Sequence, residues 1–72
     1  MVFASRIVEF ESTVTDEVAT ELERIPHLKV VARCDPEHLV VVIEGRDRRQ
    51  IQDVLDFARR EIPGIVSIDP DG

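Results

Sequence analysis

The chain contains no tryptophan, no tyrosine and no asparagine, and Phe3, Phe10 and Phe57 are its whole aromatic content. Much of the stacking apparatus that proteins use on bases and sugars is therefore missing. Cations are also scarce. Nine Lys and Arg stand against fifteen Asp and Glu, for a net charge of −6 and a pI near 4.7. No excess of basic side chains is available to displace the counterions of a polyanion, which argues against nucleic acid as a partner. A basic peptide is attracted by this field, although solubility alone accounts for the charge equally well. A single cysteine, Cys34, excludes an intramolecular disulfide. A chain this short with no disulfide framework fits a reducing compartment. Leu39–Ile43 is the longest uninterrupted apolar run, far too short to span a bilayer. No basic region followed by a sufficient apolar stretch opens the chain, so a cytoplasmic location without membrane insertion is expected.

What is present reads as one domain over residues 1–72. Hydrophobic residues at 43% and charged residues at 33% give a globular balance that argues against disorder. A domain of this size buries only about 60% of the surface its unfolded chain exposes, so its stability is marginal.

The hydrophobic period changes in an orderly way along the chain. A first strand is expected from about Phe3 to Phe10, with Arg6 interrupting its alternation. Ser12, Thr13 and Thr15 are cap candidates for a helix whose Asp16 and Glu17 suit the positive end of its dipole. Val14, Val18, Leu22 and Ile25 form a stripe on one face of that helix, and Pro26 ends it.

Leu28–Cys34 reads as a second strand, with Val30, Ala32 and Cys34 on one face and Lys29, Val31 and Arg33 on the other. Asp35-Pro36-Glu37-His38 is a turn and Leu39–Glu44 the strongest strand. Asp47 caps a second helix and Gln50 completes a capping box. Ile51, Val54, Leu55, Ala58 and Ile62 then recur at helical spacing up to Pro63-Gly64. Ile65–Ile68 forms a short last strand, and residues 69–72 are expected to fray. The order β-α-β-β-α-β predicts an α+β fold of the ferredoxin-like, split βαβ type. Such a fold has a four-stranded antiparallel sheet, both helices on one face, and the first and third strands central.

Helices cover one face only, and a face that meets water should alternate to polar. The third strand does not alternate. Leu39, Val41 and Ile43 point one way and Val40 and Val42 the other, so one apolar set is left on the open face whichever way the strand sits. Val40, Val42, Val31 and Ile7 are the contact candidates for a peptide there, with Glu9, Glu11 and Glu44 as its electrostatic partners. A dedicated peptide site, closure in a homodimer and an unoccupied face stay open as readings.

Groups for chemistry are sparse, and no catalytic residue, cofactor site or metal site is expected. His27, Cys34 and His38 lack the paired spacing of a zinc site, and read as a buried strand cysteine with two surface histidines. No orienting group or oxyanion loop accompanies Cys34 and His38 as a nucleophile pair. Arg46, Arg48 and Arg49 can hold a carboxylate or phosphate, but Asp47 and Asp53 lie beside them, and no glycine-rich phosphate loop is present. An acylphosphatase-type enzyme on the same topology needs an arginine–asparagine pairing that a chain without asparagine cannot supply.

The wording of several segments resembles the NapD family. Ser5-Arg6-Ile7-Val8 is similar to its opening strand, and Leu22–Ile25 with Pro26 to its helix-ending segment. Leu39-Val40-Val41-Val42-Ile43-Glu44 is similar to its third strand, and Gly64-Ile65-Val66-Ser67 to its closing one. Arg6 departs from the apolar or small residue usual there, and Ile68-Asp69-Pro70-Asp71-Gly72 replaces a longer apolar strand.

The resemblance implies a small cytoplasmic chaperone rather than an enzyme. Such a chaperone binds the basic, twin-arginine signal peptide of a molybdenum-containing nitrate reductase subunit. It delays export of that subunit until the cofactor is loaded. The alternative is an oligomeric regulatory or small-ligand-binding module on the same fold.

Overall fold

Two apolar sets alternate along Leu39–Glu44, and which of them is buried decides the architecture. The computed structural model describes residues 1–70, without the side chains of Thr15 and Pro70. In it β3 (His38–Gly45) buries Leu39, Val41 and Ile43 and leaves Val40 and Val42 half-buried. β3 lies between β2 (Leu28–Asp35) and β1 (Val2–Phe10), and β4 (Ile65–Pro70) pairs with the far side of β1. All three pairings are antiparallel, in the order β2-β3-β1-β4. Helices α1 (Thr15–Glu23) and α2 (Arg48–Glu61) pack on the Leu39–Val41–Ile43 face. The ferredoxin-like order β-α-β-β-α-β expected from the sequence is the one observed, with β1 and β3 central.

The core follows from the helical stripes. Val18 and Leu22 of α1 and Ile51, Leu55 and Ala58 of α2 meet Val8, Phe10, Leu39, Val41, Ile43 and Ile68 of the sheet. At the start of α2, Asp47 Oδ1 accepts from the Gln50 amide at 2.9 Å. Gln50 Oε1 accepts from the Arg46 amide at 2.6 Å, one residue earlier than a regular capping box. Arg59 and Arg60 occupy the last turn, where the helix dipole favours cations.

Four expectations need correction. The cap of α1 is Val14, which makes no side-chain cap bond, because Ser12 and Thr13 are wound into a 3-10 turn over Ser12–Val14. β2 carries irregularities between Val30 and Ala32 and between Arg33 and Asp35. A bulge adds a residue to one strand and reverses the facing of the residues beyond it. Ala32 thus pairs opposite Val40, on the open side with Lys29, and Arg33 opposite Leu39, on the helix side. There Arg33 Nη2 lies 3.7 Å from Asp16 Oδ1 of α1. Cys34, expected to be buried, is exposed near the end of this edge strand. Finally, residues 69 and 70 are not frayed: β4 runs on so that Asp69 pairs with Ile7 and Pro70 with Arg6. An edge strand can take proline where a central ladder cannot. Asp71 and Gly72, the rest of the expected tail, lie outside the described residues.

Pro26 ends α1 through a tight turn. Leu28 N donates to Ile25 O at 3.3 Å, and His27 between them takes φ +71°. Its carbonyl accepts from Glu44 N at 2.9 Å, which ties the turn to β3. A side chain in this left-handed region costs about 1–2 kcal/mol. His27→Gly is therefore expected to stabilise the fold by about 0.5–1 kcal/mol, after subtracting the extra freedom glycine has when unfolded. Urea unfolding reads this as a higher midpoint at unchanged slope, and an unchanged midpoint contradicts it.

Candidate functional site

The uncovered face of the sheet is built by strand parity. Side chains paired directly across an antiparallel ladder share a face, so Val42 with Ser5, Val40 with Ile7, and Glu44 with Phe3 all lie opposite the helices. Ile7, Val40 and Val42 are half-buried there, Phe3 is 65% exposed and Val31 52%. Phe3, Val31 and Val42 line a hollow of about 340 Å3 together with His27, Leu28, Lys29 and Glu44. The four contact candidates Ile7, Val31, Val40 and Val42 therefore fall on one surface. Phe3 belongs with them although the sequence reading does not single it out; its even spacing from Ile7 in β1 is the available signal.

A polar row closes one end of this apolar strip. His38 is opposite Asp35 on β2 and Glu9 on β1, and Glu9 is opposite Ser67 on β4. His38 Nδ1 lies 2.8 and 2.9 Å from the two Asp35 oxygens, and Nε2 lies 4.0 Å from Glu9 Oε1. The Ser67 hydroxyl is 3.3 Å from Glu9 Oε1 and 3.2 Å from Asp69 Oδ2. Asp35 Oδ1 also accepts from the Glu37 amide at 2.8 Å, which closes the β2–β3 turn. The hydrogen bond to Asp35 holds the imidazole above its ordinary pKa of 6.5, with Glu9 and Glu37 acting in the same sense. The His38 ring and the Glu37 amide in turn hold the Asp35 carboxyl below its ordinary 3.8.

Of the three expected electrostatic partners, Glu9 lies in this row and Glu44 at the other end of the strip. Glu11 lies past the end of β1, its amide bonded to Gly64 O at 3.0 Å, and is not a member of the strip. Asp69 and Asp35 are acidic neighbours that the sequence reading misses. Asp69 reads as tail in the sequence, and the Asp35 side chain is brought round only by the turn.

Lys29 lies on this face opposite Val42, while the arginines Arg6, Arg46 and Arg49 lie elsewhere. Arg6, the charge inside β1, faces the helix side opposite Val41 and donates to Ser5 O at 2.8 Å. It lines a hollow with Arg48, Ile51 and Gln52. Arg46 and Arg49 line a separate hollow with Asp47, Asp53, Val54 and Phe57, in which opposite charges are mixed. Among the described residues no cluster of three or more His, Cys, Asp or Glu is arranged to hold a metal ion. Among them, too, no helix is long and apolar enough to cross a membrane.

This face, with its family-like strand wording, can be set beside known proteins. The sequence profile described as NapD protein matches residues 1–70. The chain belongs to the NapD family. No curated protein matches it in sequence. Among solved structures it is similar to the one described as the solution structure of the E. coli Tat proofreading chaperone protein NapD, with a TM-score of 0.85 at 21% identity. The match covers 94% of this chain and 72% of that one. At that identity the likeness speaks for the fold, which agrees with the NapD assignment over almost the whole chain.

Proposed function

We propose that this NapD-family chain is a cytoplasmic chaperone, not an enzyme. On this reading it binds the twin-arginine signal peptide of a molybdenum-containing nitrate reductase subunit on its open sheet face. Binding there delays export until the cofactor is loaded. The observation that carries the reading is the uncovered apolar strip of Phe3, Ile7, Val40 and Val42 with carboxylates at both ends. Signal peptides pair an apolar run with a cationic region. The strip supplies the apolar contact, at roughly 1.5–3 kcal/mol for each side chain fully covered. Glu9 at one end, with Asp69 nearby opposite Ile7, and Glu44 at the other end supply anions for guanidinium groups, in keeping with a net charge of −6. Family membership supports the same reading, and the similar E. coli protein is described as a Tat proofreading chaperone.

Calorimetric titration with a synthetic twin-arginine peptide tests this, beside a twin-lysine control and at two salt concentrations. Binding is expected between micromolar and nanomolar, roughly −8 to −12 kcal/mol. It should weaken in salt, and weaken further when lysine replaces the arginine pair. No heat at high micromolar peptide sinks the reading and leaves the strip as the contact of a homodimer.

A further inference from the structure

We propose that His38 is an internal competitor for the carboxylates at the end of the open face, so that affinity for a basic peptide rises with pH. The inference rests on the peptide reading above and names how that site is regulated. Its basis is the placement of one imidazole between acidic groups from every element around it. Asp35 on β2 meets Nδ1, Glu9 on β1 faces Nε2, and Glu37 lies in the adjoining turn. Beyond Glu9, β4 adds Asp69 through the Ser67 hydroxyl. Lys29 pairs with Val42, two cross-strand pairs away from His38 along the strip, and Arg33 is turned to the helix side against Asp16. His38 is thus the titratable base placed within this acidic row.

An imidazolium and an arriving guanidinium seek the same oxygens. With His38 charged, a basic peptide meets carboxylates already partly neutralised and is repelled by the ring itself. With His38 neutral, Glu9 and Asp35 keep their full charge for the peptide, while the ring can still donate one hydrogen bond to Asp35. Since Asp35 and Glu9 both favour the protonated ring, the competition persists to higher pH than it would for an imidazole without these neighbours. Linkage then works in both directions. A bound cationic peptide must lower the proton affinity of His38 by the factor by which protonation lowers the affinity for peptide.

The same twin-arginine peptide is titrated at about pH 5.5 and about pH 8.5 against the native chain, His38→Gln, and His27→Gln as a control for the second imidazole. The native chain is expected to bind about fivefold tighter at the higher pH, the scale of one exposed ion pair. In His38→Gln the difference should shrink below about twofold, with the gain appearing at low pH. His27→Gln, at a residue that lines the hollow and can change the affinity itself, should still bind several-fold tighter at the higher pH. NMR titration of the native His38 ring, free and peptide-saturated, gives a readout that needs no variant, and its midpoint should fall on binding. An unshifted midpoint, or a pH dependence that survives in folded His38→Gln, overturns the inference and leaves the chaperone reading standing. Absence of binding at both pH values overturns the two together.

Discussion

Val42→Asp is expected to lower affinity for a twin-arginine peptide by about 100-fold or more while the chain stays folded. Val42 is half-buried at the middle of the open strip, across from Ser5 on β1 and Lys29 on β2, and lines the hollow with Phe3 and Val31. A carboxylate there removes roughly 1.5–3 kcal/mol of apolar contact and must be stripped of water when the peptide covers it. Added attraction for the peptide's cations offsets at most about 1 kcal/mol of this, because the pair is near solvent. The apolar loss therefore wins. Folding tolerates the change because the new charge faces Lys29 across the β2–β3 pair and displaces nothing from the helix side. Calorimetry with circular-dichroism melting checks both halves. A folded variant that binds within about threefold of the native chain removes this face as the site.

Gly64→Ala is expected to destabilise the fold by about 2–4 kcal/mol. Gly64 links α2 to β4 with φ +97°, and a Cβ added to it would lie 2.6 Å from Val14 Cγ2 and 3.7 Å from Val18 Cγ2. Two costs add. The left-handed conformation penalises any side chain by about 1–2 kcal/mol, and the overlap forces either the 3-10 turn or the α2–β4 link to shift. The Gly64 carbonyl also accepts from Glu11 N, so a shift strains the entry to α1 as well. A domain this small has on the order of 5 kcal/mol in total, and each kcal/mol moves its Tm by about 4–8 °C. Thermal unfolding should therefore fall by about 10–25 °C. A drop under about 3 °C means that the turn repacks freely around the methyl group.

Residue types and spacing carried most of the architecture. The stripe from Ile51 to Ile62, the Asp47 cap and the punctuation at Pro26 and Pro63-Gly64 each rest on local chemistry, and each lies where the pattern places it. Where the pattern misleads, the deciding force is not local. Nothing in Leu28–Asp35 announces a bulge, because the extra residue is set by how β2 accommodates β3, and one such residue moves Ala32 to the open side and Arg33 to the helix side. Val14 becomes the cap of α1 because the chain leaving β1 is held by Glu11 N on Gly64 O and enters the helix through a 3-10 turn. Asp69 reads as tail because proline follows it, yet β4 is an edge strand of the sheet, where a proline is tolerated.

Residue order alone set the alternation of helical and strand periods, hence the element order, and required that one apolar set of β3 lie uncovered. It also carried the family-like wording of the strands and the acidic charge. Tertiary structure alone decided that Val40 and Val42 are that set, because α1 and α2 pack on Leu39, Val41 and Ile43. It also gathered Asp35, His38, Glu9 and Ser67, which come from four strands, into one row at the end of the strip, with Asp69 beside it opposite Ile7. The physical reason is the range of the forces. Periodicity and caps act within a few residues, whereas register, bulges and the facing of charges are set by pairing between segments far apart in the chain.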